Sequence, residues 1–283
     1  MDGPRRISRW QKGQVLPGWI CREDELGGYK ARKYSSLIPA LRGHTRVRLL
    51  GSSQSNNLLQ LSLRLRQEGI CPVYLQEGRP GPLRGNWLFS RIVLGQGYTK
   101  EACDLPCIPE GASCAESLPG ALTMAASLAE NLGVHGTPST IFIEAGSGFS
   151  AAALVLGMAY LGLQIPVKVV WLGDAVGDFT GVLSRWQDAA TKLLGDLDVL
   201  PPWEIIRPST ARSFGAINRT ILDEVVRLAQ EEGLLVDPIY TAKLMLTART
   251  YPAPPGSLIY CGGGPFELCG FQEHLAGLVP EMT

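Results

Sequence analysis

The strongest constraint on the fold is one order of segments that recurs along the chain: an apolar run, a short Gly/Ser turn and a helix-forming run. In its clearest instance, Thr140–Glu144 leads through Ala145–Ser150 into the apolar stretch Ala151–Leu163. Strands that alternate with helices predict an α/β fold with mostly parallel sheets, and such sheets bind ligands at the carboxyl ends of their strands. Further apolar runs suited to buried strands are Arg46–Leu50, Ile70–Leu75, Ile165–Leu172 and Ser257–Cys261.

The leucine-rich stretch between residues 58 and 65 fits two periodicities. Its leucines alternate as in a strand, and some of them also repeat at helical spacing. We interpret the stretch as a helix because Ser55 or Asn56 can cap its start and Gly69 can end it. Asn218–Glu232 is helical on the same criteria, with an Asn cap and with Gly233 directly after the last turn.

Composition narrows the class of protein. The chain has 283 residues, 45% of them hydrophobic, and its 26 Lys and Arg balance its 26 Asp and Glu. This length suits about two domains, and the apolar content is enough for a packed core. A zero net charge gives no electrostatic footprint for nucleic acid or an anionic membrane. Apolar stretches such as Ala151–Leu163 are shorter than the roughly 20 residues of a membrane helix, so we expect neither partner.

The seven cysteines bear on compartment and metal binding. Because no apolar segment follows the charged amino-terminal stretch, we expect no secretory signal, a cytoplasmic protein and reduced thiols. Cys103, Cys107 and Cys114 are clustered, which raises the alternative of a zinc site. The spacing lacks a second Cys pair and the nearest histidine is His135, so we favour ordinary thiols and expect no metal.

Four polar segments are candidates for chemistry. A lysine in Gly27–Lys33, on the lip of a helix predicted over Lys33–Leu41, could form a Schiff base, although basic runs usually mark solvated surface. Gly51–Asn57 offers a hydroxyl and carboxamides, or simply caps a helix. Ala145–Ser150 could bind phosphate through N–H groups at a helix start, or allow close helix–strand packing. In Asp237–Lys243 a tyrosine could exchange a proton and a threonine could bond a heterocyclic nitrogen, or the segment is an ordinary turn.

Taken in order, these segments resemble one family. The motifs are GGYKARK, GSSQSNN, IPEGAS, AGSGFS and EEGLLVDPIYTAK, and the resemblance spans roughly Trp19 to the carboxyl terminus. They are similar to the 1-aminocyclopropane-1-carboxylate deaminase/D-cysteine desulfhydrase family, whose pyridoxal-phosphate enzymes have fold type II, the tryptophan-synthase-β-like fold. The resemblance implies a three-layer α/β structure with mostly parallel sheets and pyridoxal 5'-phosphate in the cleft between two domains. Residues 1–33 and 121–283 would form the large cofactor-binding domain, and 34–120 a smaller, trimmed one.

The resemblance also assigns roles to single residues. Lys30 would carry the cofactor through its ε-amine, and Lys33 would lie near the phosphate. Ser55 would lie over the substrate, and Asn56 beside the 3-hydroxyl of the cofactor. The implied catalytic residues are Lys30, Ser55 and Tyr240.

Two further segments complete the implied cofactor site. The phosphate loop would consist of Ala145, Gly146, Ser147 and Gly148. Thr241 would face the pyridine nitrogen, where deaminases of the family have a Glu, and in this it resembles the desulfhydrase branch. A hydroxyl satisfies a neutral nitrogen, which is enough to expel a good β leaving group, whereas opening a cyclopropane needs a deeper electron sink.

We therefore expect a pyridoxal-phosphate-dependent lyase of a small amino acid, with D-cysteine desulfhydrase-like elimination to pyruvate, ammonia and sulfide. A homodimer is implied by the resemblance alone. Two departures from the family pattern keep alternatives open: Tyr29 replaces an Asn, and Phe214 replaces a second active-site Tyr. The alternatives are 1-aminocyclopropane-1-carboxylate deaminase, a lyase of L-cysteine or a β-substituted alanine, and a cofactor-binding protein without catalysis.

Overall fold

The computed structural model describes residues 8–14, 16, 18–75, 81–99, 104–173, 178–252, 254–263, 265–268 and 270–278. Contacts within the chain define two compact units. The first comprises Met1–Tyr29, Ala121–Leu268 and Gln272–Thr283, and the second comprises Lys30–Gly120 and Cys269–Phe271. Each unit is built on its own sheet.

The strands of the described ranges are β1 (Arg9–Lys12), β2 (Gly18–Arg22), β3 (Arg46–Leu49), β4 (Cys71–Leu75), β5 (Tyr98–Thr99), β6 (Cys107–Ile108), β7 (Ile141–Ala145), β8 (Val167–Trp171), β9 (Trp203–Ile206) and β10 (Ser257–Cys261). The α-helices of the same ranges are α1 (Gly28–Ala40), α2 (Asn56–Gln67), α3 (Gly85–Leu94), α4 (Leu118–His135), α5 (Phe149–Tyr160), α6 (Asp178–Leu194), α7 (Arg219–Glu231), α8 (Thr241–Thr250) and α9 (Gln272–Ala276). Among the helices described, none combines the length and the hydropathy needed to cross a membrane.

The first unit contains a six-stranded sheet in the order β1-β2-β10-β7-β8-β9. Every pairing in it is parallel except that of β1 with β2. All residues of β7 and β10 are buried, as expected for central strands of a sheet covered on both faces. Because β7 and β10 are parallel neighbours, the segments that follow them, Ala145–Gly148 and Gly262–Gly263, emerge at the same edge of the sheet.

The second unit contains four strands in the order β5-β4-β3-β6, and all of its pairings are parallel. Helices α1, α2 and α3 supply the apolar side chains that cover this sheet. Its core includes Leu37, Val47, Leu61, Tyr74 and Ile108, none of them more than 4% exposed.

The α/β architecture with mostly parallel sheets is confirmed, and the five predicted strands correspond to β3, β4, β7, β8 and β10. The leucine-rich stretch is helix α2, as predicted. The Ser55 hydroxyl caps it by accepting the N–H of Asn57 at 3.2 Å, and Gly69, with φ of 76°, follows its end. Helix α7 likewise begins after Asn218, whose side chain accepts the N–H of Ile221.

The start of α1 differs from the prediction. The sequence predicts a helix from Lys33, but the helix begins at Gly28, the second glycine of the pair. Gly27 and Gly28 have φ of 88° and 73°, which lets the chain turn sharply out of the short 3-10 helix Asp24–Leu26 and enter α1 at once. Lys30 therefore lies in the first turn of the helix rather than before it.

Candidate functional site

In the second unit, Lys30 and Lys33 lie on the amino-terminal turns of α1. Lys30 is half-buried, and Lys33 is only 5% exposed. The Nζ atom of Lys33 donates to the carbonyl of Gly111 at 3.0 Å. Burial, reinforced by the charge of Lys30, lowers the pKa of Lys33 to about 7. The helix thus presents two amines, of which Lys33 loses its charge readily near neutral pH.

Gly111 belongs to the IPEGAS motif, which follows β6 and meets the loop after β3. The Glu110 carboxylate accepts the N–H of Ser52 at 3.2 Å. A Cβ added to Gly51, whose φ is 130°, would lie 3.1 Å from Cγ of Glu110. Since β3 and β6 are parallel neighbours, this contact joins two loops at the carboxyl ends of their strands. The loop after β3 then leads into Ser55.

Ser55 and Asn56 are held by local contacts at the start of α2. The Ser55 hydroxyl oxygen is the helix cap, and the side-chain oxygen Oδ1 of Asn56 accepts from the side-chain amide of Asn86 on α3. The adjacent Asn57, 5% exposed, accepts from the phenol of Tyr34 at 2.9 Å and so ties α2 to α1. These contacts fix the backbone that presents Ser55 and Asn56.

In the first unit, the predicted phosphate loop connects β7 to α5. Ala145 is buried and Ser147 is exposed. Gly148, with φ of 79°, is the N-cap residue of α5 and offers no side chain to the first N–H groups of this 12-residue helix. A Cβ at Gly148 would lie 3.0 Å from the Trp171 ring, and one at Gly146 would lie 2.9 Å from Tyr240. Glycine is therefore required at both positions for close packing of the loop against these side chains, and no side chain caps the first N–H groups of α5.

Tyr240 and Thr241 precede and begin α8, and a single buried carboxylate orders both. Asp237 accepts the N–H groups of Ile239, Tyr240 and Thr241 at 2.9, 2.6 and 3.1 Å. The Thr241 hydroxyl oxygen accepts the N–H of Gly263 at 2.8 Å. A Cβ at Gly263 would lie 2.0 Å from Asp237 Oδ2 and 2.7 Å from the Thr241 hydroxyl, so this close approach requires glycine.

An aromatic pair lies beside the phosphate loop. The rings of Phe214 and Tyr240 are 5.8 Å apart in an edge-to-face arrangement, and a Cβ at Gly146 would be within 3.6 Å of both side chains. Phe214 is 53% exposed. The segment that carries it is held by Lys243, whose Nζ donates to the carbonyl of Ser213 at 3.2 Å. Burial, with the nearby Arg207 charge as a smaller cause, lowers the pKa of Lys243 to about 8.

Two residues at this edge of the first unit's sheet, Glu144 and Asp237, were not identified from the sequence. Glu144, 5% exposed in β7, is hydrogen-bonded to the phenol of Tyr29, with 3.0 Å between its Oε2 and the phenol oxygen. Burial is the main cause that raises the pKa of Glu144 to about 8, and the Asp237 and Glu267 charges add to it. The available signals were a lone acid in an otherwise apolar strand and, for Asp237, its position before a turn that starts a helix.

The predicted residues thus fall into two groups, one in each unit. The second unit carries Lys30, Lys33, Ser55 and Asn56, and the first carries the loop Ala145–Gly148 with Tyr240 and Thr241. The first-unit residues meet around Gly146 and Gly263.

The cysteine cluster considered as a zinc site is only partly described. Cys103 lies outside the described residues, Cys107 is exposed and Cys114 is half-buried. Within the described ranges, no group of three or more His, Cys, Asp or Glu side chains is arranged to hold a metal ion.

No protein-family model matches the chain. Among solved structures, an ACC deaminase homologue is 22% identical with a TM-score of 0.79, over 97% of this chain and 95% of that one. A pyridoxal 5'-phosphate-dependent aspartate racemase is 12% identical with a TM-score of 0.57, over 91% and 90%. A hydrogen sulfide-producing enzyme from Fusobacterium nucleatum is 11% identical with a TM-score of 0.56, over 94% and 96%. These similarities confirm the fold type II architecture expected from the motifs.

Proposed function

We propose that the chain is a pyridoxal-phosphate-dependent lyase that eliminates the β-substituent of a small amino acid, as a D-cysteine desulfhydrase does. Cysteine and water would give pyruvate, ammonia and sulfide. Support comes from the ordered motifs and from a fold shared with a pyridoxal 5'-phosphate-dependent racemase and a hydrogen sulfide-producing enzyme. Because one fold supports several reactions, the choice of reaction depends on the site residues.

The residues present fit the cofactor. The phosphate would bind at the start of α5, where no side chain caps the first N–H groups and the helix dipole favours an anion. The Lys33 amine, whose charge burial disfavours, would regain that charge beside an anion. The start of α5 in the first unit and the Lys33 amine in the second each suit a phosphate group, the first through N–H groups and the second through a positive charge.

One hydrogen bond is the main support for β-elimination over ring opening: the N–H of Gly263 donates to the hydroxyl oxygen of Thr241. A hydroxyl has one proton of its own, which it can give to a further acceptor while its oxygen accepts. A ring nitrogen without a proton is such an acceptor. A Glu at this position would instead keep the nitrogen protonated, which favours harder reactions such as ring opening.

The chain's own groups would then divide the proton transfers. Pyridoxal phosphate, when bound, supplies an electron sink for negative charge at the substrate Cα. Lys30 would hold the cofactor and accept the Cα proton, with Ser55 as the alternative acceptor. The Tyr240 phenol, whose backbone is fixed by Asp237, would give a proton to the departing sulfur.

Deamination of 1-aminocyclopropane-1-carboxylate is the second candidate, favoured by the similarity to an ACC deaminase homologue. Thr241 and Phe214 weigh against it, because the first lacks a carboxylate and the second lacks a phenol. A lyase of L-cysteine or another β-substituted alanine would use the same groups.

The test begins with the purified chain and added pyridoxal phosphate. We expect a visible absorbance band and, after borohydride reduction and digestion, a pyridoxyl label on Lys30. Lys30→Ala should lose both, whereas Lys192→Ala, which removes an exposed lysine of α6, should keep both. A label on another lysine, or no band, would refute the proposal.

Product analysis then separates the candidate reactions. D-cysteine, L-cysteine and 1-aminocyclopropane-1-carboxylate are supplied separately, and sulfide, pyruvate and 2-oxobutyrate are measured. Sulfide and pyruvate in equal amounts are the expected result. Formation of 2-oxobutyrate would select the deaminase, and a spectral change without any product would indicate binding without catalysis. Thr241→Ser should keep the activity, and Thr241→Val should lose most of it.

A further inference from the structure

Tyr29 directly precedes Lys30 and is half-buried within the first unit. A Cβ added to Gly262 would lie 2.4 Å from the Tyr29 ring and 2.7 Å from Oε1 of Glu144. A Cβ added to Gly28 would lie 2.4 Å from the carbonyl oxygen of Gly262. The two residues that lead into Lys30 are thus packed against the segment after β10 so closely that neither Gly28 nor Gly262 can carry a side chain.

The phenol of Tyr29 has two oxygen atoms within hydrogen-bond distance but only one proton to donate. Its phenol oxygen lies 3.0 Å from Oε2 of Glu144 and 3.3 Å from the carbonyl oxygen of Tyr260. A phenol has one proton, so beside an ionised carboxylate it must share that proton between the two oxygens. When Glu144 is protonated, its carboxyl can donate to the phenol oxygen while the phenol donates to Tyr260, so that each contact has a proton of its own.

The surroundings favour this protonated form of Glu144. Its carboxyl is buried, and the acids that face it or its phenol partner are Asp237, Glu267 and Glu23, with the Cys261 thiol on β10. Burial first, and the charges of Asp237 and Glu267 second, raise the pKa of Glu144 to about 8. Burial also raises the pKa of Tyr29 well above its usual value, so the phenol keeps its proton throughout the working range.

We propose that Glu144, Tyr29 and the Tyr260 carbonyl form a proton-ordered chain that holds the peptide entering Lys30, and that it is complete only while Glu144 is protonated. Tyr29 and Glu144 are positioning residues, since both lie in the first unit and act through the backbone next to Lys30. The consequence for the cofactor-bearing amine rests on the proposed function, but the chain of hydrogen bonds does not. Ionisation of Glu144 turns the phenol toward the carboxylate and releases Tyr260.

The first experiment needs no cofactor. Amide hydrogen exchange of a peptide covering residues 27–33 is measured between pH 6 and 9.5 and corrected for the intrinsic pH dependence. In the wild type, exchange should quicken as pH passes 8, by roughly threefold to tenfold, the range expected for one hydrogen bond. Glu144→Gln, whose amide donates at every pH, should remove the step. Tyr29→Phe should exchange quickly throughout, and Glu273→Gln, an exposed acid of α9, should behave as wild type.

The second experiment uses the holoenzyme. The circular dichroism of the visible cofactor band is measured across pH 8 in the wild type and in Glu144→Gln. The change should be larger in the wild type. Since Lys30 is common to both proteins, the difference reports Glu144. If Glu144→Gln keeps the wild-type pH dependence of exchange, or if Tyr29→Phe exchanges as slowly as wild type, the proposal is wrong. A missing label on Lys30 would refute only the proposed function, because the exchange result stands without it.

Discussion

Asp237 holds Tyr240 through its backbone: one carboxylate oxygen accepts the Tyr240 N–H at 2.6 Å. The other oxygen accepts the N–H of Thr241 at 3.1 Å. A single buried carboxylate therefore orders the two neighbours to which we assign proton transfer and recognition of the ring nitrogen. Removal of the Asp237 carboxylate is expected to lower both stability and catalytic activity, whereas removal of an acid on the surface would not.

Asp237→Ala should lower the free energy of unfolding by about 1–3 kcal/mol, as expected when buried N–H groups lose their acceptor, and should reduce the lyase activity. Asp237→Asn should cost less, because its amide oxygen still accepts one N–H. Urea unfolding and sulfide release are the measurements. Asp223→Ala, which breaks an exposed ion pair with Arg219, is the matched control and should change stability by less than about 1 kcal/mol. An equal loss in both alanine variants would contradict the prediction.

Glu144 makes stability depend on pH. Its pKa is raised from 4.5 to about 8 by folding, so between these values the unfolded chain releases a proton that the folded chain keeps. Stability is therefore expected to fall as pH rises from about 4.5 to 8, by at most about 1.4 kcal/mol per pH unit from this group, and to level off above. Denaturant unfolding of wild type and Glu144→Gln over this range measures the difference. The free energy of unfolding of the variant, relative to that of the wild type, should increase as pH rises. A difference that stays constant with pH would contradict the prediction.

Lys33 should take up a proton when a phosphate-bearing ligand binds. Its pKa of about 7 in the folded chain means that the amine is mostly uncharged at pH 8, and a neighbouring phosphate restores the charge. Calorimetry of pyridoxal phosphate binding at pH 8, in buffers of different ionisation enthalpy, counts the protons. Lys33→Gln should bind one proton fewer than wild type and bind roughly tenfold more weakly. Pyridoxal without phosphate is the control ligand, and the two proteins should then take up equal numbers of protons.

Phe214 is expected to set substrate preference rather than stability. It is half exposed and faces Tyr240 beside the glycine loop, so its replacement costs little folding energy. Phe214→Tyr adds a second phenol at this wall and should raise 2-oxobutyrate formation from 1-aminocyclopropane-1-carboxylate relative to sulfide release from cysteine. Thermal unfolding should differ little between the two proteins. An unchanged product ratio in a folded variant would exclude Phe214 as a determinant of the reaction.

Local sequence patterns predicted those parts of the fold that depend on neighbouring residues. The strand, glycine turn and helix around Gly148, and the cap of α2 at Ser55, could be predicted because their causes lie within a few residues. The start of α1 was predicted too late, since two successive glycines with positive φ begin the helix earlier than a capping side chain would. The pairing of Tyr29 with Glu144 spans 115 residues and exists only because β10 lies beside β7, so no local pattern indicates it.

The position of β10 in the sheet also bears on how the chain is made. This strand, residues 257–261, pairs with β2 on one side and β7 on the other, so it joins the amino-terminal strands to the rest of the sheet. During synthesis the first unit therefore cannot close its sheet until residues 257–261 have left the ribosome. The second unit is almost continuous, from Lys30 to Gly120, and can form its core long before. The order of translation thus lets the second unit form before β10 completes the sheet of the first.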